Sequence, residues 1–170
     1  MSSTLIVAIV AACLSAASLS WQAATYLLNG GRPRAELLIG AINPDSGDVL
    51  RTNPHAQATP GEWKLAAEQG FTVPVLGIRV VNHGRGPVTI EKWEFSVAGG
   101  PSVTVLRGAI GPELAHELAG GRSATWYAPA QEVHASAMVT KEVVGQKTVQ
   151  VVGVVTMATG RSRRTKPITF

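Results

Sequence analysis

Residues 71–82 (FTVPVLGIRVVN) and 88–97 (VTIEKWEFSV) have the strongest β-strand patterns of this chain. Both are rich in valine, isoleucine and aromatic side chains, which favour a half-buried pleated sheet. The intervening HGRGP has the glycines and proline of a tight turn. In the second stretch Ile90, Trp93 and Phe95 depart from strict alternation, so we expect one core-facing side and a β-bulge. The pair predicts a domain built on antiparallel strands.

Working outward from this pair, five further stretches show strand patterns bounded by turn residues. They are residues 35–42, 102–106, 122–128, 147–158 and 162–170. The last of them is predicted to be an edge strand, because an edge position tolerates its proline. Asn43-Pro-Asp-Ser-Gly is turn chemistry, after which a brief strand at 48–51 is expected to pair back.

The remaining segments are predicted to be helical or irregular. Thr59-Pro-Gly-Glu62 matches a capping box with proline at the first helical position, which predicts a short helix through about Gln69. Residues 131–144 combine helical and extended patterns and could contain a short helix. Residues 107–121 show no regular pattern.

About seven strands separated by turn residues are the number found in an immunoglobulin-like sandwich. The sequence therefore predicts an all-β domain at residues 32–170, folded as an immunoglobulin-like antiparallel β-sandwich. The cysteine pair of antibody domains is missing, since Cys13 is the single cysteine of the chain. Because Cys13 precedes this domain, we expect no disulfide within it, which favours a reducing compartment.

Residues 4–28, TLIVAIVAACLSAASLSWQAATYLL, differ from the rest because they contain no charged side chain. All 26 charged residues of the chain, 15 basic and 11 acidic, follow Gly31. As a helix this stretch would be ~38 Å long, enough to cross a hydrocarbon core of about 30 Å with some tilt. We therefore expect residues 1–31 to form one N-terminal transmembrane helix and its flank.

The charges that flank this helix predict its orientation. Arg32 and Arg34 follow it, whereas the α-amine is the one positive group before it. Positively charged flanks stay on the cytoplasmic side of a membrane, so the C-terminal domain is expected in the cytoplasm. The chain would then be a single-pass protein of the cell membrane, with Trp21 and Tyr26 at the level of the lipid headgroups.

Two other interpretations of the first helix stay open. A cleaved signal peptide would need a positive n-region and a small-residue cleavage site, and neither is evident. Val10-Ala11-Ala12-Cys13 is similar to a bacterial lipobox, which would make the protein an extracytoplasmic lipoprotein anchored at Cys13. Against the lipobox, the chain stays apolar for fifteen residues after the cysteine.

Small residues repeat at every fourth position of this helix. They are Ala8, Ala12, Ala16, Ser20 and Ala24. Such a stripe lets two helices approach closely within a bilayer, so it predicts a homodimer through this face. The alternative is that alanine is simply abundant in this segment.

Several motifs give the chain a resemblance to a group of known proteins. RVVNHGRGPVTIEKWEF (79–95), GPELAHELAGGRSATWY (111–127), ATGRSRR (158–164) and the junction WQAATYLLNGGRPRAEL (21–37) resemble actinobacterial, or actinophage, single-span membrane proteins with a small C-terminal β-sandwich. The resemblance covers nearly the whole chain. Because its motifs are turn and core residues, it implies an architecture and no activity.

Patterns that would indicate catalysis or metal binding are not evident in the sequence. No pair of the four histidines has zinc-ligand spacing, and no cysteine accompanies them. The histidines are His55, His83, His116 and His134. Gly84-x-Gly86 lies between two strands, which is not the context of a phosphate loop, and no GxSxG motif occurs. We therefore expect neither an enzyme nor a cofactor.

The predicted function follows from the anchor and the charge. A net charge of +4 favours an anionic neighbour such as lipid headgroups. We expect a non-catalytic membrane-anchored interaction or scaffold module that displays a β-sandwich to a protein partner at the cytoplasmic face. The alternative is an anionic-surface or nucleic-acid binder that uses the basic residues from Arg161 to Lys166. Nucleic-acid readers usually add exposed aromatics; this cluster has only Phe170, so we do not expect a nucleic-acid partner.

Topology and charge together predict a basic rim that faces the membrane. In an immunoglobulin-like order the first strand starts at the end that carries the loop between the second and third strands and the final hairpin turn. Few residues separate the helix from the first strand, so this end should lie against the inner leaflet. It would gather Arg32, Arg34, Arg85, Arg161, Arg163 and Arg164. Anionic lipid attracts each such group by about 1 kcal/mol, and the loops around residues 43–70 and 98–102 would point at a partner.

Overall fold

The structure, a computed structural model, describes residues 3–52, 60–100, 102–103, 108–145 and 147–170. Its first element is one long helix, α1 (Ser3–Asn29). Hydroxyl side chains of α1 donate to the carbonyl four residues earlier, from Ser20 to Ala16 and from Thr25 to Trp21, both at 2.8 Å. These bonds keep the two hydroxyl hydrogens paired within the helix.

Two further helices and ten strands follow in the described residues. In chain order the strands are β1 (Pro33–Ile42), β2 (Val49–Thr52), β3 (Val73–Asn82), β4 (Val88–Val97), β5 (Ser102–Val103), β6 (His116–Leu118), β7 (Ser123–Pro129), β8 (Gln150–Met157), β9 (Ser162–Arg164) and β10 (Ile168–Thr169). Helix α2 (Pro60–Glu68) lies between β2 and β3, and α3 (Ala130–Val144) lies between β7 and β8.

The strands form two antiparallel sheets. The first has the order β2-β1-β3-β7, and the second has the order β10-β8-β4-β5, in which β6 also pairs with β4 and β9 with β8. β1 and β3 pair along their whole length, from Pro33 opposite Asn82 to Ile42 opposite Val73. β2 pairs with the second half of β1 alone, from Ile39 onward.

One hydrophobic core joins the inner faces of both sheets. The first sheet contributes Ile78 and Trp126, the second contributes Ile90 and Phe95, and each of these side chains is buried. Val133 of α3 is buried in the same cluster. Removal of these large apolar side chains from water is the main force that holds the two sheets together.

The prediction of a β-rich domain behind an apolar helix is confirmed at the level of two antiparallel sheets. The all-β description is too narrow, because three helices occur in the described residues. There are also more than seven strands, since β6 forms in the stretch predicted to be irregular and the strand predicted at 162–170 is divided. Between β9 and β10, Pro167 has no N–H for a sheet ladder, and the Thr165 hydroxyl accepts from the Gly153 N–H at 2.9 Å.

The largest departure from the sequence prediction is α3. Instead of a short helix within residues 131–144, the chain forms a helix of 15 residues. Its buried residues, Val133, Ala137 and Thr140, are spaced four and three apart and lie on one face against the core. Gly145 ends the helix in the left-handed conformation, with φ 69° and ψ 24°, where glycine has no steric penalty.

Two local predictions are confirmed. The register of β4 against β8 shifts between Ile90 and Lys92, where the off-phase apolar residues indicated a bulge. Helix α2 begins at Pro60, the predicted first helical position. The predicted cap at Thr59 and residues 104–106 of the strand predicted at 102–106 lie outside the described residues.

Candidate docking site at the helix-proximal end

Most of α1 has no protein environment. Its candidate span, Ser3–Thr25, has 23 residues, a mean hydropathy of 2.0 and no buried share in its most apolar window. Large side chains such as Leu14 and Leu19 are 68 % and 67 % exposed. By length and composition this helix could cross a membrane. An apolar surface of this extent is strongly unfavourable in water, so the helix requires an apolar neighbour.

The segment between α1 and β1 is short and packs directly on the β3–β4 turn. Three residues, 30–32, make the connection. A Cβ at Gly84 would lie 2.5 Å from the Arg32 nitrogen and 2.8 Å from the Gly31 Cα. A Cβ at Gly86 would collide with the carbonyl of the last α1 residue. Because only glycine permits this approach, residues 30–32 and the turn at 83–87 form one packed unit, which we call the junction.

Asn82 organises the junction. Its side chain is fully buried, at 0 % exposure. The Oδ1 atom accepts from the backbone N–H of Arg32 at 2.9 Å and of Gly84 at 3.0 Å. The Nδ2 atom donates to the carbonyls of Gly86 at 2.8 Å and Leu118 at 3.1 Å. The amide is thereby satisfied at every hydrogen-bonding position that it offers, and it links the exit of α1, the β3–β4 turn and the end of β6.

A cleft of about 1240 Å³ lies beside the junction, between the end of α1 and the domain. We call it the helix-side cleft. Trp21 and Thr25 line it from α1, and Arg32, Arg161 and Arg163 line it from the domain. Trp21 is 75 % exposed, and the three arginines are exposed as well. The cleft therefore combines an indole ring with guanidinium groups, the side-chain types that favour the headgroup layer of a membrane.

A second cleft of about 470 Å³, the lateral groove, runs along residues 33–38 of β1. The basic side chains of its lining are Arg34, Arg163, Arg164 and Lys166. Glu36 is the acidic residue in that lining. In the part of the chain that the structure describes, none of the four basic side chains has a carboxylate within ion-pair distance. The lateral groove therefore presents an excess of positive charge.

The structure distributes most arginines of the predicted rim between these two clefts. Arg32 and Arg161 line the helix-side cleft. Arg34 and Arg164 line the lateral groove, and Arg163 lines both. The same end of the domain carries the β3–β4 turn and the β8–β9 turn, because residues of both line the helix-side cleft. Contact of these arginines with lipid stays a prediction.

The sixth rim arginine, Asn82 and Lys166 complete this end of the domain. Arg85 is exposed on the turn of the junction. Asn82 is the last residue of the strand predicted at 71–82, and its partners at Arg32 and Leu118 lie 50 and 36 positions away, beyond any local signal. Lys166 belongs to the basic cluster of the sequence, but the lateral groove brings it beside β1.

The predicted stripe of small residues lies on α1, where all of its side chains are exposed. The stripe comprises Ala8, Ala12, Ala16, Ser20 and Ala24. Cys13 is also exposed, and α1 continues without interruption from Cys13 to Asn29. Association through the stripe and lipidation of the thiol both stay predictions.

The histidines of the described residues do not converge. His116 lies edge-on against Trp126, with ring centroids 5.9 Å apart, and His134 lies against Phe170 at 5.5 Å. Among the described residues there is no group of three or more His, Cys, Asp or Glu side chains that could hold a metal ion. His55 lies outside the described residues.

No protein-family model matches the chain, and no curated protein sequence matches it. The functional argument therefore starts from α1, the junction and the two clefts.

Proposed function

We propose that the protein is a non-catalytic, membrane-anchored interaction or scaffold module that displays a β-sandwich at the cytoplasmic face of the cell membrane. The observation that carries this proposal is the exposure of α1, an apolar helix without a buried share in its most apolar window. A helix of 27 residues is ~40 Å long, which exceeds a hydrocarbon core of about 30 Å. Lipid therefore supplies the apolar neighbour that the helix requires.

The position of Trp21 supports a membrane surface at the helix-side cleft. A hydrocarbon core of about 30 Å takes up about 20 helical residues, so a span that begins at Ser3 brings Trp21 to the edge of the core and Thr25 to headgroup depth. Both side chains line the same cleft as Arg161 and Arg163. We propose that these arginines meet anionic headgroups there, together with Arg32. The positive flank after α1 favours the cytoplasmic side for the domain.

We also infer that the sandwich is immunoglobulin-like. The order β1-β3-β7 in the first sheet corresponds to strands A-B-E of that fold, and β10-β8-β4-β5 corresponds to G-F-C-C′. Two insertions distinguish this chain from the common pattern. β2 and α2 lie between strands A and B, and α3 lies between strands E and F.

Two alternative functions receive less support from the geometry. For a nucleic-acid binder, Phe170 would have to stack on bases beside the cluster from Arg161 to Lys166, but its ring packs against the core and His134. For an extracytoplasmic lipoprotein, cleavage before Cys13 would remove residues 3–12 of α1 and leave a long apolar segment behind the lipid. Neither alternative uses the full length of the exposed helix.

The topology is tested with two reporters fused after Phe170 in the full chain. A fluorescent protein that folds only in the cytoplasm should be bright, and alkaline phosphatase, which is active only outside it, should be silent. Bright phosphatase activity with a dark fluorescent reporter would contradict the cytoplasmic orientation. In the same cells the chain and its Cys13→Ser variant should have the same full-length mass, because the span and not a lipid holds the protein. A wild-type chain that is shorter than the Cys13→Ser variant by residues 1–12 and carries lipid would support the lipoprotein instead.

We propose in addition that α1 self-associates through the small-residue stripe. Replacement of Ala12 and Ala16 by isoleucine should reduce association in a membrane two-hybrid assay, because the larger side chains separate the helix backbones. The matched control changes Ala11 and Ala17 to isoleucine, which adds the same volume outside the stripe. Equal effects of the two pairs would mean that the stripe reflects the abundance of alanine in this segment and does not mediate association.

A further inference from the structure

One face of α1 forms a wall of the helix-side cleft. Trp21, Thr25 and Asn29 line the cleft, and their spacing of four residues places them on the same side of the helix. From Trp21 to Asn29 the helix rises ~12 Å, whereas one headgroup layer of a bilayer is ~5–8 Å thick. In the proposed span Trp21 lies at the edge of the hydrocarbon core, so the cleft extends through the whole headgroup layer.

The opposite wall of the cleft carries three arginines whose backbones are held by hydrogen bonds or strand pairing. Arg161 and Arg163 are two positions apart, so they share one face of the β8–β9 hairpin. The Met157 N–H donates to the Arg161 carbonyl at 2.9 Å across the turn of this hairpin. The Arg32 N–H donates to the Asn82 Oδ1 atom at 2.9 Å. The three guanidinium groups therefore extend into one cleft from fixed backbone positions, which lowers the entropic cost of binding a shared ligand.

The charge of the lining has one sign. The described residues that line the cleft include Arg32, Arg161 and Arg163 and no aspartate, glutamate or histidine. All 11 aspartate and glutamate residues of the chain lie in the described ranges, and neither Arg161 nor Arg163 has one of their carboxylates within ion-pair distance. An anionic group in the cleft therefore meets guanidinium groups without a competing carboxylate from the lining.

The number and type of these cations favour a phosphomonoester over other anionic headgroups. A guanidinium group can donate two parallel hydrogen bonds to the oxygens of a phosphate. The phosphodiester of most phospholipids has a single negative charge and shares it between two free oxygens. A phosphomonoester has three free oxygens and a charge of about −1.5 to −2 at neutral pH. Three guanidinium groups are therefore matched more closely by a phosphomonoester, in both charge and acceptor number.

We propose that the helix-side cleft binds one membrane lipid whose headgroup is a phosphomonoester, of which phosphatidic acid is the simplest example. Arg32, Arg161 and Arg163 bind the phosphate, and the Trp21 indole lies where the acyl chains enter the bilayer. A soluble phosphomonoester has no apolar part for Trp21 to contact, so the wall formed by α1 favours a lipid. This inference rests on the proposed membrane-anchored module and deepens it, because it narrows the anionic headgroups at this cleft to one chemical class.

The test uses the full chain in micelles of a neutral detergent, to which phosphatidic acid and phosphatidylglycerol with the same acyl chains are added in equal amounts. Native mass spectrometry counts the lipids that each chain retains and distinguishes the two lipids by mass. We expect the first bound lipid to be phosphatidic acid about tenfold more often than phosphatidylglycerol, as one or two additional charge-assisted hydrogen bonds predict. This comparison needs no variant of the protein, so it decides the question even where a substitution disturbs folding.

Two double variants locate the bound lipid on the protein. Arg161→Lys with Arg163→Lys keeps the charge and removes the forked donors, so it should lower the preference for phosphatidic acid about threefold. Arg161→Gln with Arg163→Gln removes the charge as well and should bring the two lipids close to equal occupancy. The control pair, Arg51→Gln with Lys64→Gln, removes the same charge from two exposed residues outside the cleft and should keep the wild-type preference.

Three results would overturn the proposal. Equal occupancy by the two lipids in the wild-type chain would mean that charge alone acts. An unchanged preference in both double variants of Arg161 and Arg163 would place the lipid elsewhere on the chain. Displacement of phosphatidic acid by an equal concentration of glycerol 3-phosphate would assign the cleft to a soluble phosphomonoester. If the chain resists alkaline carbonate extraction, these results contradict the lipid site alone, whereas extraction of the chain from membranes contradicts the anchor, so the two failures are distinguishable.

Discussion

An asparagine organises each end of the sandwich, and the two asparagines differ in their surroundings. At the helix-proximal end, Asn82 is fully buried and bonds to residues as far as 50 positions away. At the opposite end, Asn43 is partly exposed, and its Oδ1 accepts from Asp45 at 2.9 Å and Ser46 at 3.3 Å within its own turn. Its Nδ2 donates to the Gln69 carbonyl at 3.4 Å. One residue type thus serves a tertiary connection at one end and a local turn at the other.

The difference lies in what replaces each hydrogen bond when the side chain is removed. Around Asn43, water can reach the released backbone groups, so the cost of losing the amide is small. Around Asn82, the bonds to Gly84 and Leu118 are buried, so the groups released there keep their desolvation penalty without a partner. The comparison predicts that stability is concentrated at the end of the domain that receives α1.

The largest effect is expected from Asn82→Ala. It leaves the N–H groups of Arg32 and Gly84 and the carbonyls of Gly86 and Leu118 without their side-chain partner, which should lower the free energy of unfolding by about 3–5 kcal/mol. Urea unfolding of the full chain in detergent, followed by the fluorescence of the buried Trp93 and Trp126, measures this loss. A loss below that of the corresponding change at Asn43 would reverse the comparison.

Gly84→Ala tests the close approach of backbones at the junction. The new Cβ would lie within contact distance of backbone atoms of Gly31 and Arg32, which cannot rotate away. We expect a loss of about 1–3 kcal/mol in the same unfolding assay. The control is Gly61→Ala in α2, where a Cβ meets no atom within 4 Å. Alanine there should leave stability unchanged or raise it by up to about 1 kcal/mol, and losses at both sites would argue against a special role for the junction.

The smallest effect is expected from Asn43→Ala at the opposite end. Only the turn hydrogen bonds and the long contact to Gln69 are lost, and solvent replaces them, so the cost should be about 0.5–1 kcal/mol. The midpoint of urea unfolding should shift slightly, with an unchanged slope. A change in the slope would indicate that Asn43 holds more of the domain than its turn.

Much of the fold is present in local sequence patterns. Alternation and β-branched residues identified β3 and β4, and the departure of Ile90, Trp93 and Phe95 from strict alternation indicated a bulge in β4. The uncharged run at residues 4–28 identified α1, and Pro60 identified the start of α2. These features depend on neighbours in the chain, which is why the sequence alone was sufficient.

Features that depend on distant partners were not predictable in the same way. The second half of α3 contains Thr140, Val143 and Val144, whose side chains favour strands. The segment is nevertheless helical, because burial of one helix face against the core stabilises the helix. In the sequence Asn82 is the end of a predicted strand, and its role depends on Leu118 and Arg32, which folding brings beside it. The lateral groove brings Arg163, Arg164 and Lys166 beside residues 33–38 of β1, an approach of distant segments that no local pattern contains.

The three-residue connection between α1 and β1 attaches the sandwich to the helix and also fixes the side of the helix on which each surface of the sandwich lies. Each helical residue turns the chain by about 100°, and the junction holds the sandwich on the last turn of α1. The stripe on the helix and the lateral groove on the domain therefore keep a constant angle about the helix axis. Two chains paired through the stripe would be related by a two-fold axis, which sets the separation and facing of their grooves. A bivalent partner could then contact both grooves only if the spacer between its two binding segments matches that separation.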